Sequence, residues 1–276
     1  MQANTIHVAV AAIVNANNEV FISRRHLNSH QGGLWEFPGG KVEADENIQQ
    51  ALLRELQEET GIHITHSRPL IRVHHDYHDK SVLLDVWKID QYSGEPHGRE
   101  GQDVRWENVH SLNPDEFPAA DVPIIRALQL PERYLITGAF DSLDDFVQRL
   151  SSAINNGIRL VQLRLKPDWL QTNAQLAEQI VHAAEAQCHK ANVTLLLNVP
   201  DKISALSACK NIHADSSRLQ QLEKRPECYL FSASCHTPED LRKAEKLNAD
   251  FAVLSPVQKT QSHPDAEPLG WEKFQS

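Results

Sequence analysis

Short apolar runs and turn-forming stretches alternate in the first half of the chain. The runs Ile6–Val14, Glu19–Ser23 and Val82–Ile89 have the length and composition of β-strands. The stretches Asn15–Asn18 and Ser93–Gly98 are rich in turn-forming residues and separate such runs. A single strong helical pattern lies among them. This mixed order of elements predicts an α+β arrangement with a mixed sheet.

The pattern changes near Pro131, where strand-like and helix-like segments begin to alternate regularly. The strand-like runs are Tyr134–Thr137, Leu160–Leu165, Thr194–Asn198, Asn211–Ala214, Tyr229–Ser232 and Phe251–Leu254. The clearest helical segments between them are Asp141–Asn155, Asn173–Lys190 and Pro238–Leu247. Repeated βα units predict a parallel sheet or a barrel, so we expect an α/β protein with domains at 1–130 and 131–276 and a linker at Leu128–Arg133.

The number of strands in the second half falls short of a closed barrel. Six runs are visible, and a closed (β/α) barrel needs eight strands. If these units form a barrel, the barrel is therefore incomplete. Either the chain is a fragment of a longer protein or the barrel is completed by other means, and an open strand edge favours association.

The strongest helical pattern lies within Gly40–Ile62. Ala44–Asp45 is predicted to cap the helix just before Glu46, and Gly61 is predicted to end it. The apolar face of the helix recurs every four residues, at Ile48, Leu52 and Leu56.

A second face of the same helix is dense in carboxylates. Glu55, Glu58 and Glu59 stand at i, i+3 and i+4, so their side chains crowd together and repel one another. Oxygen-only ligands suit Mg²⁺ or Mn²⁺, which bind through carboxylates while holding substrate phosphates. Arg54 is placed to pair with Glu58 and hold part of the array. A solvated acidic helix is the alternative interpretation.

The spacing within this segment favours the metal site, because it matches the Nudix box at every defined position. Those positions are Gly40, Glu46, Arg54, Glu55, Leu56, Glu58, Glu59, Gly61 and Ile62. The segments ISRR, LWEFPGGK, GEPHGREGQ and NPDEFPAADVPII extend the match, and the first half resembles MutT-type Nudix hydrolases. The resemblance implies an α/β/α Nudix sandwich with a mixed sheet. It also implies magnesium-dependent hydrolysis of nucleoside triphosphates to a monophosphate and pyrophosphate.

For a MutT-type enzyme the implied substrate is 8-oxo-dGTP, whose removal from the nucleotide pool prevents mutation during DNA replication. By resemblance, the metal ligands would be the carbonyl of Gly39 and the carboxylates of Glu55, Glu58 and Glu59. Glu100 would approach from a loop, where it either ligates metal or activates water. These glutamates and Arg54 form the predicted catalytic set.

The nucleotide contacts implied by the resemblance lie outside the helix. Arg25 and His30 match positions expected to touch the nucleotide. A wall beside it would be formed by Glu36, Phe37, Pro38 and Gly39. Phe37 either faces the base or belongs to the core.

Two further positions of the implied nucleotide site differ from the close MutT-type relatives. Asp121 stands where they have asparagine, and Lys80 stands where they have arginine. An ionised aspartate only accepts hydrogen bonds, so Asp121 would attract the N7–H of the oxidised base and repel the bare N7 of guanine. Lys80 is a candidate donor to O6. The alternative for Asp121 is a cap on a helix that begins near Pro123.

The second half resembles thiamine-phosphate synthase and its TenI-like relatives. The resemblance rests on QLRLK, LLLN, NIHAD, SASCHTPEDL and SPVQKTQSHPDAEPLGW, and the working positions it retains are Gln162, Arg164, Lys166 and Asn198. The positions that depart from the family pattern are Val199, Pro200, Arg218 and His263. Arg218 lies near the expected magnesium carboxylate. The family resemblance therefore implies an incomplete TIM-barrel-like domain that has lost synthase activity and can still bind a phosphorylated thiamine-like ligand.

Composition excludes several other classes of function. A formal net charge of −10 disfavours a surface that binds nucleic acid through its phosphates. The apolar run Thr5–Val14 is too short to span a bilayer, so we expect a cytoplasmic protein without a membrane anchor. No CxxC pair occurs, which disfavours a zinc or redox motif; the four cysteines are Cys188, Cys209, Cys228 and Cys235. A group of histidines is predicted to be mostly exposed and not a metal site: His63, His66, His74, His75 and His78.

Three hypotheses follow from the sequence. The first is a hydrolase of oxidised purine nucleotides. The second is a Nudix hydrolase of another nucleoside diphosphate derivative, such as ADP-ribose or a dinucleotide. The third is a fusion in which the second domain senses a thiamine phosphate and the first domain responds.

Overall fold

The computed structural model describes residues 5–166, 169, 173–205, 207–259 and 267–275. The chain forms two compact units, Met1–Leu130 and Pro131–Ser276. Among the described residues, no helix combines the length and the apolar character that crossing a membrane requires.

The first unit contains seven strands and two α-helices among its described residues. The strands are β1 Ile6–Ile13, β2 Glu19–Arg24, β3 Trp35–Glu36, β4 Gly39–Lys41, β5 His63–Asp76, β6 Ser81–Ser93 and β7 Val104–Asn108. The helices are α1 Ile48–Glu59 and α2 Val122–Gln129, and short 3-10 turns lie at Val109–Ser111, Pro114–Glu116 and Ala119–Asp121. One sheet is mixed, in the order β4-β1-β6-β5, and the other is antiparallel, in the order β3-β2-β7.

Strand β1 is apolar on both faces because it lies between two layers. Successive side chains of a strand point to opposite faces. Val10 and Ala12 join the core cluster that contains Ile124 and Ile125 of α2. The alternate residues of β1 join the cluster on the α1 side, which includes Ala9, Ala11, Ile13, Leu52 and Leu56. This layering confirms the predicted α/β/α sandwich with a mixed sheet.

Helix α1 begins later than predicted. Asn47 is the N-cap: its side chain accepts from the backbone N–H groups of Gln49 and Gln50, and the Gln50 side chain accepts from the N–H of Asn47 in return. The prediction of a cap at Ala44–Asp45 was wrong, because this reciprocal capping box satisfies the first helical donors. Glu46 therefore lies outside the helix and is free to face Arg54.

The other predicted features of α1 agree with the structure. Leu52 and Leu56 are buried, and Ile48 packs beside them. Gly61 follows the helix with a φ of +75°, and its N–H donates to the carbonyl of Leu56. This left-handed position after the last turn is one that glycine adopts at little cost.

The second unit is a parallel sheet whose strands follow one another in chain order. The strands are β8 Tyr134–Ile136, β9 Leu160–Arg164, β10 Thr194–Asn198, β11 Ile212–Ala214, β12 Phe231–Cys235 and β13 Phe251–Leu254. The helices are α3 Leu143–Asn155, α4 Ala174–Lys190, α5 Asp201–Ser204, α6 Ser216–Gln221, α7 Pro238–Lys246 and α8 Gly270–Gln275. The sheet curls into a half-barrel, which confirms the predicted incomplete TIM-barrel-like domain.

The predicted strand near Tyr229 is displaced along the chain. Strand β12 begins at Phe231, because Phe231 donates its N–H to Asp250 and pairs with Ile212. Tyr229 lies before the strand and is exposed. His263, which departs from the family pattern, lies outside the described residues.

Candidate active site

A cavity of about 310 Å³ opens in the first unit beside β1. Its walls come from β1, from the loop after β2, from the hairpin between β5 and β6, and from the segment that precedes α2. The predicted nucleotide contacts that line it are Arg25, His30, Glu36, Phe37, Gly39, Lys80 and Asp121. Pro38, also predicted to belong to this wall, is buried and does not line the cavity; its carbonyl accepts from the N–H of Ala11.

Arg25 is fixed at the mouth of the cavity by two contacts. One guanidinium nitrogen donates to the carboxylate of Glu36, and Nε donates to the carbonyl of His30 at 2.9 Å. Burial raises the pKa of Glu36, and the positive charge of Arg25 opposes that rise. Arg25 therefore joins the loop after β2 to the wall that begins at Glu36.

Phe37 belongs to both the core and the cavity. It is buried and stacks on Phe117 with ring centroids 5.6 Å apart, and one side of it lines the cavity. The two interpretations of this residue therefore do not compete. A rigid aromatic wall is a suitable surface for a flat base, and contact between Phe37 and a base stays a prediction.

Tyr77 also lines the cavity, although no role was predicted for it from the sequence. Its hydroxyl oxygen accepts from the N–H of Ala120 at 3.4 Å, and its ring meets the His30 ring edge-on at 4.8 Å. His30 Nε2 lies 3.4 Å from a carboxylate oxygen of Asp79 in the same hairpin. The hairpin tip thus packs against both other loops that line the cavity.

Asp121 faces the cavity and does not cap the helix. It occupies the position before α2, yet its side chain makes no capping hydrogen bond, and only 7% of the residue is exposed. The alternative interpretation as a helix cap is therefore wrong. Burial raises the pKa of Asp121 to about 8, the negative charge of Glu36 adds to the rise, and Arg25 opposes it.

The carboxylate face of α1 meets the cavity at Gly39 and Gly40. Glu59 accepts from the N–H of Gly39 at 3.0 Å. The carboxylate of Glu55 lies directly over Gly40, where an added Cβ would come within 2.1 Å of Oε1. Both glycines also line the cavity. Glycine is needed at position 40 because any side chain would displace Glu55.

Arg54 holds the outer part of the carboxylate array. Its guanidinium group contacts Glu46 at 2.5 Å, Glu55 at 2.8 Å and Glu58 at 3.4 Å. It also donates to the carbonyl of Lys41 at 3.1 Å. The predicted pair with Glu58 is present, and the contacts with Glu46 and Glu55 are shorter. Arg54 thereby helps to orient Glu55.

Glu59 is shielded from water and lies near other carboxylates. Burial raises its pKa to about 8, and the charges of Glu36, Glu55 and Glu100 add to the rise, while the hydrogen bond from Gly39 opposes it. An array of this kind is stabilised by a cation, and its donors are all oxygens, as Mg²⁺ and Mn²⁺ prefer. The chemistry of the residues therefore fits a hard divalent cation.

The carboxylate side chains do not form a complete coordination sphere for a metal ion. Within the described ranges, no three His, Cys, Asp or Glu side chains form a group able to hold a metal ion. Repulsion between like charges keeps such side chains apart when no cation lies between them. The assignment of Gly39, Glu55, Glu58, Glu59 and Glu100 as ligands stays a prediction.

The histidine-rich stretch lies mainly on the surface of β5 and the following turn. His63, His66, His74 and His78 are exposed, and His75 is half-buried. His66 contacts Asp90 at 2.6 Å, and the His75 ring packs on Tyr77 with centroids 4.4 Å apart. These residues serve local contacts of the hairpin.

In the second unit, the four residues that keep the pattern of the thiamine-phosphate synthase family lie in two separate locations. Gln162 and Asn198 join a buried network, in which Asn198 Nδ2 donates to Gln162 Oε1 at 3.0 Å and Gln162 Nε2 donates to the hydroxyl of Tyr134 at 2.7 Å. Arg164 and Lys166 instead line a cavity of about 500 Å³ together with aromatic side chains, Phe140 and Trp169.

The network continues to His213, which the sequence did not single out. His213 Nδ1 lies 2.7 Å from the hydroxyl of Ser232, and Nε2 lies 2.8 Å from that of Ser234. Burial lowers the pKa of His213 to about 4 and raises that of Tyr134 to about 12. Both groups are therefore neutral at physiological pH, and the network is one of uncharged hydrogen bonds.

The place predicted to have lost a magnesium carboxylate holds an ion pair. Arg218 contacts Asp201 at 2.5 Å, and both line a cavity of about 370 Å³ with Asn198 and Asp215. Asp215 accepts from the N–H of Arg218 at 2.8 Å and caps α6. Because a guanidinium already neutralises Asp201, these residues do not fit a magnesium-bound pyrophosphate.

Comparison with known proteins finds two families, one in each half. The family model for the NUDIX domain matches residues 9–127, and that for thiamine monophosphate synthase matches residues 133–276. The 8-oxo-dGTP diphosphatase of Escherichia coli is 41% identical over 124 residues, which cover 45% of this chain and 96% of that protein. The CTP pyrophosphohydrolase of Escherichia coli is 34% identical over 118 residues, which cover 43% of this chain and 87% of that protein.

The second half of the chain also matches a relative over most of that relative's length. A protein assigned as thiamine-phosphate synthase 2 in Aquifex aeolicus is 32% identical over 145 residues, which cover 52% of this chain and 76% of that protein. Both resemblances inferred from the sequence motifs are thereby confirmed. The chain belongs to the Nudix hydrolases in its first half and to the thiamine monophosphate synthase family in its second.

Proposed function

We propose that the first unit is a magnesium-dependent nucleoside triphosphate pyrophosphohydrolase whose preferred substrate is 8-oxo-dGTP. The observation that carries this proposal is the junction at Gly39 and Gly40. Both glycines line the cavity, and each is in direct contact with a carboxylate of α1, Glu59 and Glu55 respectively. A nucleotide whose base lies in the cavity can therefore extend its phosphates to the carboxylate face.

The proposed reaction breaks one phosphoric anhydride bond. Water attacks a phosphorus atom, the bond to the bridging oxygen breaks, and 8-oxo-dGMP and pyrophosphate leave. Mg²⁺, when bound to the carboxylates, would hold the phosphate oxygens and stabilise the charge that develops on them. The chain itself orients the site: Arg54 fixes Glu55, the N–H of Gly39 fixes Glu59, and Glu100 either ligates the metal or receives the proton of the attacking water.

Recognition of the oxidised base is assigned to Asp121 and Lys80. Because its pKa is raised to about 8, Asp121 is protonated at neutral pH. A protonated carboxyl group, unlike an ionised one, is both a donor and an acceptor. Such a group can donate to O6 and accept from the N7–H of the oxidised base, as the asparagine of the relatives would. Lys80 lines the same cavity and is a second donor.

A second candidate substrate is CTP, because one of the relatives acts on that nucleotide. The two candidates are separated by steady-state assays on 8-oxo-dGTP, dGTP, CTP and ADP-ribose with Mg²⁺, following all products by chromatography. We expect kcat/KM to be highest for 8-oxo-dGTP, with release of pyrophosphate, and no AMP to form from ADP-ribose. A preference for CTP would overturn the assignment of the substrate and leave that of the reaction.

Residues 1–130, expressed alone, are expected to fold and to retain most of the hydrolase activity. Every candidate catalytic and substrate residue lies before Pro131, and the first unit has its own core clusters on both faces of its mixed sheet. The check is a comparison of kcat and KM between the truncated and full chains. A soluble, folded truncation with little activity would show that the second unit completes the site.

For the second unit we propose binding of a phosphorylated thiamine-like ligand without catalysis. Arg164 and Lys166 offer positive charge in a cavity that also has aromatic walls. In the separate cavity that Asn198 lines, Arg218 pairs with Asp201 and Asp215 caps α6, which disfavours a magnesium site there. Isothermal titration of the full chain with thiamine phosphate is expected to show binding that persists in EDTA. Absence of heat would favour a scaffold role.

A further inference from the structure

The loop between β6 and β7 closes on the carboxyl end of helix α1. The last carbonyl groups of a helix lack intrahelical partners and need donors from elsewhere. Here the backbone N–H of His97 donates to the carbonyl of Thr60 at 3.2 Å, and that of Arg99 donates to the carbonyl of Glu59 at 3.0 Å. The loop is therefore in direct contact with the end of the helix that bears the carboxylates.

Two side chains of the loop reinforce this contact. Arg99 Nη1 donates to the carbonyl of Gln57 at 2.6 Å. Gln102 Nε2 donates to the carbonyl of Glu59 at 3.4 Å, and Gln102 Oε1 accepts from the backbone N–H of Glu100 at 2.9 Å. A single amide group therefore links the backbones of Glu59 and Glu100.

The fit of the loop against the helix is close. An added Cβ at Gly61 would lie 2.9 Å from the ring of His97 and 3.2 Å from Cδ of Arg99. An added Cβ at Gly98 would lie 2.3 Å from the carbonyl oxygen of Gln102. Gly61 therefore lets the loop approach the helix, in addition to its role in ending the helix, and Gly98 lets the loop fold closely on its own residue Gln102.

The carboxylate of Glu100 depends on this attachment for its position. Glu100 is exposed, and its negative charge contributes to the raised pKa of Glu59. Its backbone is held through Gln102. A loop residue that acts beside a helix residue must be held by the contacts of its loop, because a displacement of about 1 Å from the productive geometry lowers rates by as much as about 100-fold.

We propose that Arg99 and Gln102 are positioning residues that fix Glu100 relative to Glu59 by joining the loop to the end of α1. The proposal rests on the pyrophosphohydrolase function of the first unit. It assigns to these two residues no contact with the nucleotide: neither lines the cavity. Their removal should therefore change kcat and leave KM nearly unaltered.

The test uses the variants Gln102→Ala, Arg99→Ala and Arg99→Lys in the full chain. Arg105→Ala is the matched control, because Arg105 is an exposed arginine of β7 whose ion pairs, with Glu107 and Glu116, lie outside the site. Kinetics are measured on whichever nucleotide the wild-type protein hydrolyses best. Hydrogen exchange of the Glu100 amide and the affinity for Mn²⁺ are measured without substrate.

We expect Gln102→Ala and Arg99→Ala to lower kcat by about 10- to 100-fold with KM changed less than about threefold. The Glu100 amide should exchange faster in Gln102→Ala, and the Mn²⁺ affinity should fall if Glu100 is a ligand and stay constant if it activates water. Arg99→Lys keeps a donor for the carbonyl of Gln57 and should restore much of the activity. Arg105→Ala should behave as wild type.

The proposal is overturned if Gln102→Ala retains wild-type kcat, or if its Glu100 amide stays as protected as in the wild type. It is also overturned if kcat and thermal stability fall together in Arg99→Ala and Arg99→Lys alike, since that result describes a purely structural residue. The exchange measurement does not depend on the identity of the substrate. A wild-type protein inactive on every nucleotide would therefore contradict the proposed function, while the exchange result would still decide whether Gln102 holds Glu100.

Discussion

Replacing Glu59 by glutamine is expected to lower kcat by several orders of magnitude while the first unit stays folded. Glu59 is one of the two carboxylates of α1 at the junction with the cavity, and it is held there by the N–H of Gly39. Glutamine keeps the shape of the side chain and an oxygen acceptor, but it removes a negative charge from the proposed metal site. The loss follows because the cation that stabilises the transition state is then bound more weakly.

The stability of the same variant gives a second readout with a definite sign. The pKa of Glu59 is raised from 4.5 to about 8, so the folded protein binds this proton more tightly than the unfolded chain does. Without metal, ionisation of Glu59 therefore lowers the free energy of unfolding progressively as the pH rises from 4.5 through 8. Glutamine cannot ionise, and the variant should be at least as stable as the wild type above pH 8 in EDTA.

The matched control for this prediction is Glu107→Gln, which removes a glutamate of β7 that pairs with Arg105 outside the site. Steady-state kinetics over a range of Mg²⁺ concentrations and thermal melts in EDTA provide the two measurements. Near-normal turnover of Glu59→Gln at saturating Mg²⁺ would remove Glu59 from the catalytic set.

At a pH above about 8, where its carboxyl group is ionised, replacing Asp121 by alanine is expected to raise KM sharply for 8-oxo-dGTP and to change it little for dGTP. The oxidised base offers a donor at N7, and guanine offers only a lone pair there. Sites built around a buried hydrogen bond reject analogues that lack it by as much as about 10⁴- to 10⁵-fold. Asp121 is buried, lines the cavity and is not engaged in capping α2, so its carboxyl group is available to a base. An equal loss on both nucleotides would contradict this role.

The raised pKa of Asp121 adds a dependence on pH. Below a pH of about 8 the carboxyl group is protonated and can donate to the O6 of either base. Above it, the carboxylate only accepts: its hydrogen bond from the N7–H of the oxidised base becomes charge-assisted and stronger, whereas the carboxylate repels the N7 lone pair of guanine. The ratio of kcat/KM for 8-oxo-dGTP to that for dGTP should therefore increase as pH rises through about 8.

Asp121→Asn is the control for this dependence. Asparagine presents a donor and an acceptor at every pH, so the ratio should be independent of pH in that variant. Ionisations shared by the two reactions, such as that of Glu59, cancel in the ratio. A ratio that varies equally in the wild type and in Asp121→Asn would show that another group is responsible.

The helix and its carboxylates could be predicted because both depend on residues that are close together in the sequence. The spacing of Glu55, Glu58 and Glu59 fixes which face they occupy once the segment is helical, and Leu52 and Leu56 fix which face is buried. The start of the helix was missed because Asn47 and Gln50 form a reciprocal cap, and such a cap competes with Asp45, two residues earlier.

Contacts that join distant segments could not be predicted from local patterns. Tyr77 reaches Ala120 across the fold, and Gln102 reaches Glu59 from another loop. Strand β5 carries register shifts between Ile64 and Ile71, so its alternation of apolar and polar residues is interrupted. In the second unit, Tyr134 and His213 lie on β8 and β11, which are separated by two strands, and the curl of the parallel sheet brings them into one network.

The central claim is that the first unit hydrolyses the oxidised nucleotide in preference to the normal one. A competition assay tests it most directly: 8-oxo-dGTP and dGTP are mixed in equal amounts with Mg²⁺ and the full chain, and both are followed by chromatography. The ratio of their rates of disappearance equals the ratio of their kcat/KM values. We predict that 8-oxo-dGTP is consumed first, yielding 8-oxo-dGMP and pyrophosphate, while dGTP persists. Equal consumption of the two, or products other than the monophosphate and pyrophosphate, would contradict the account.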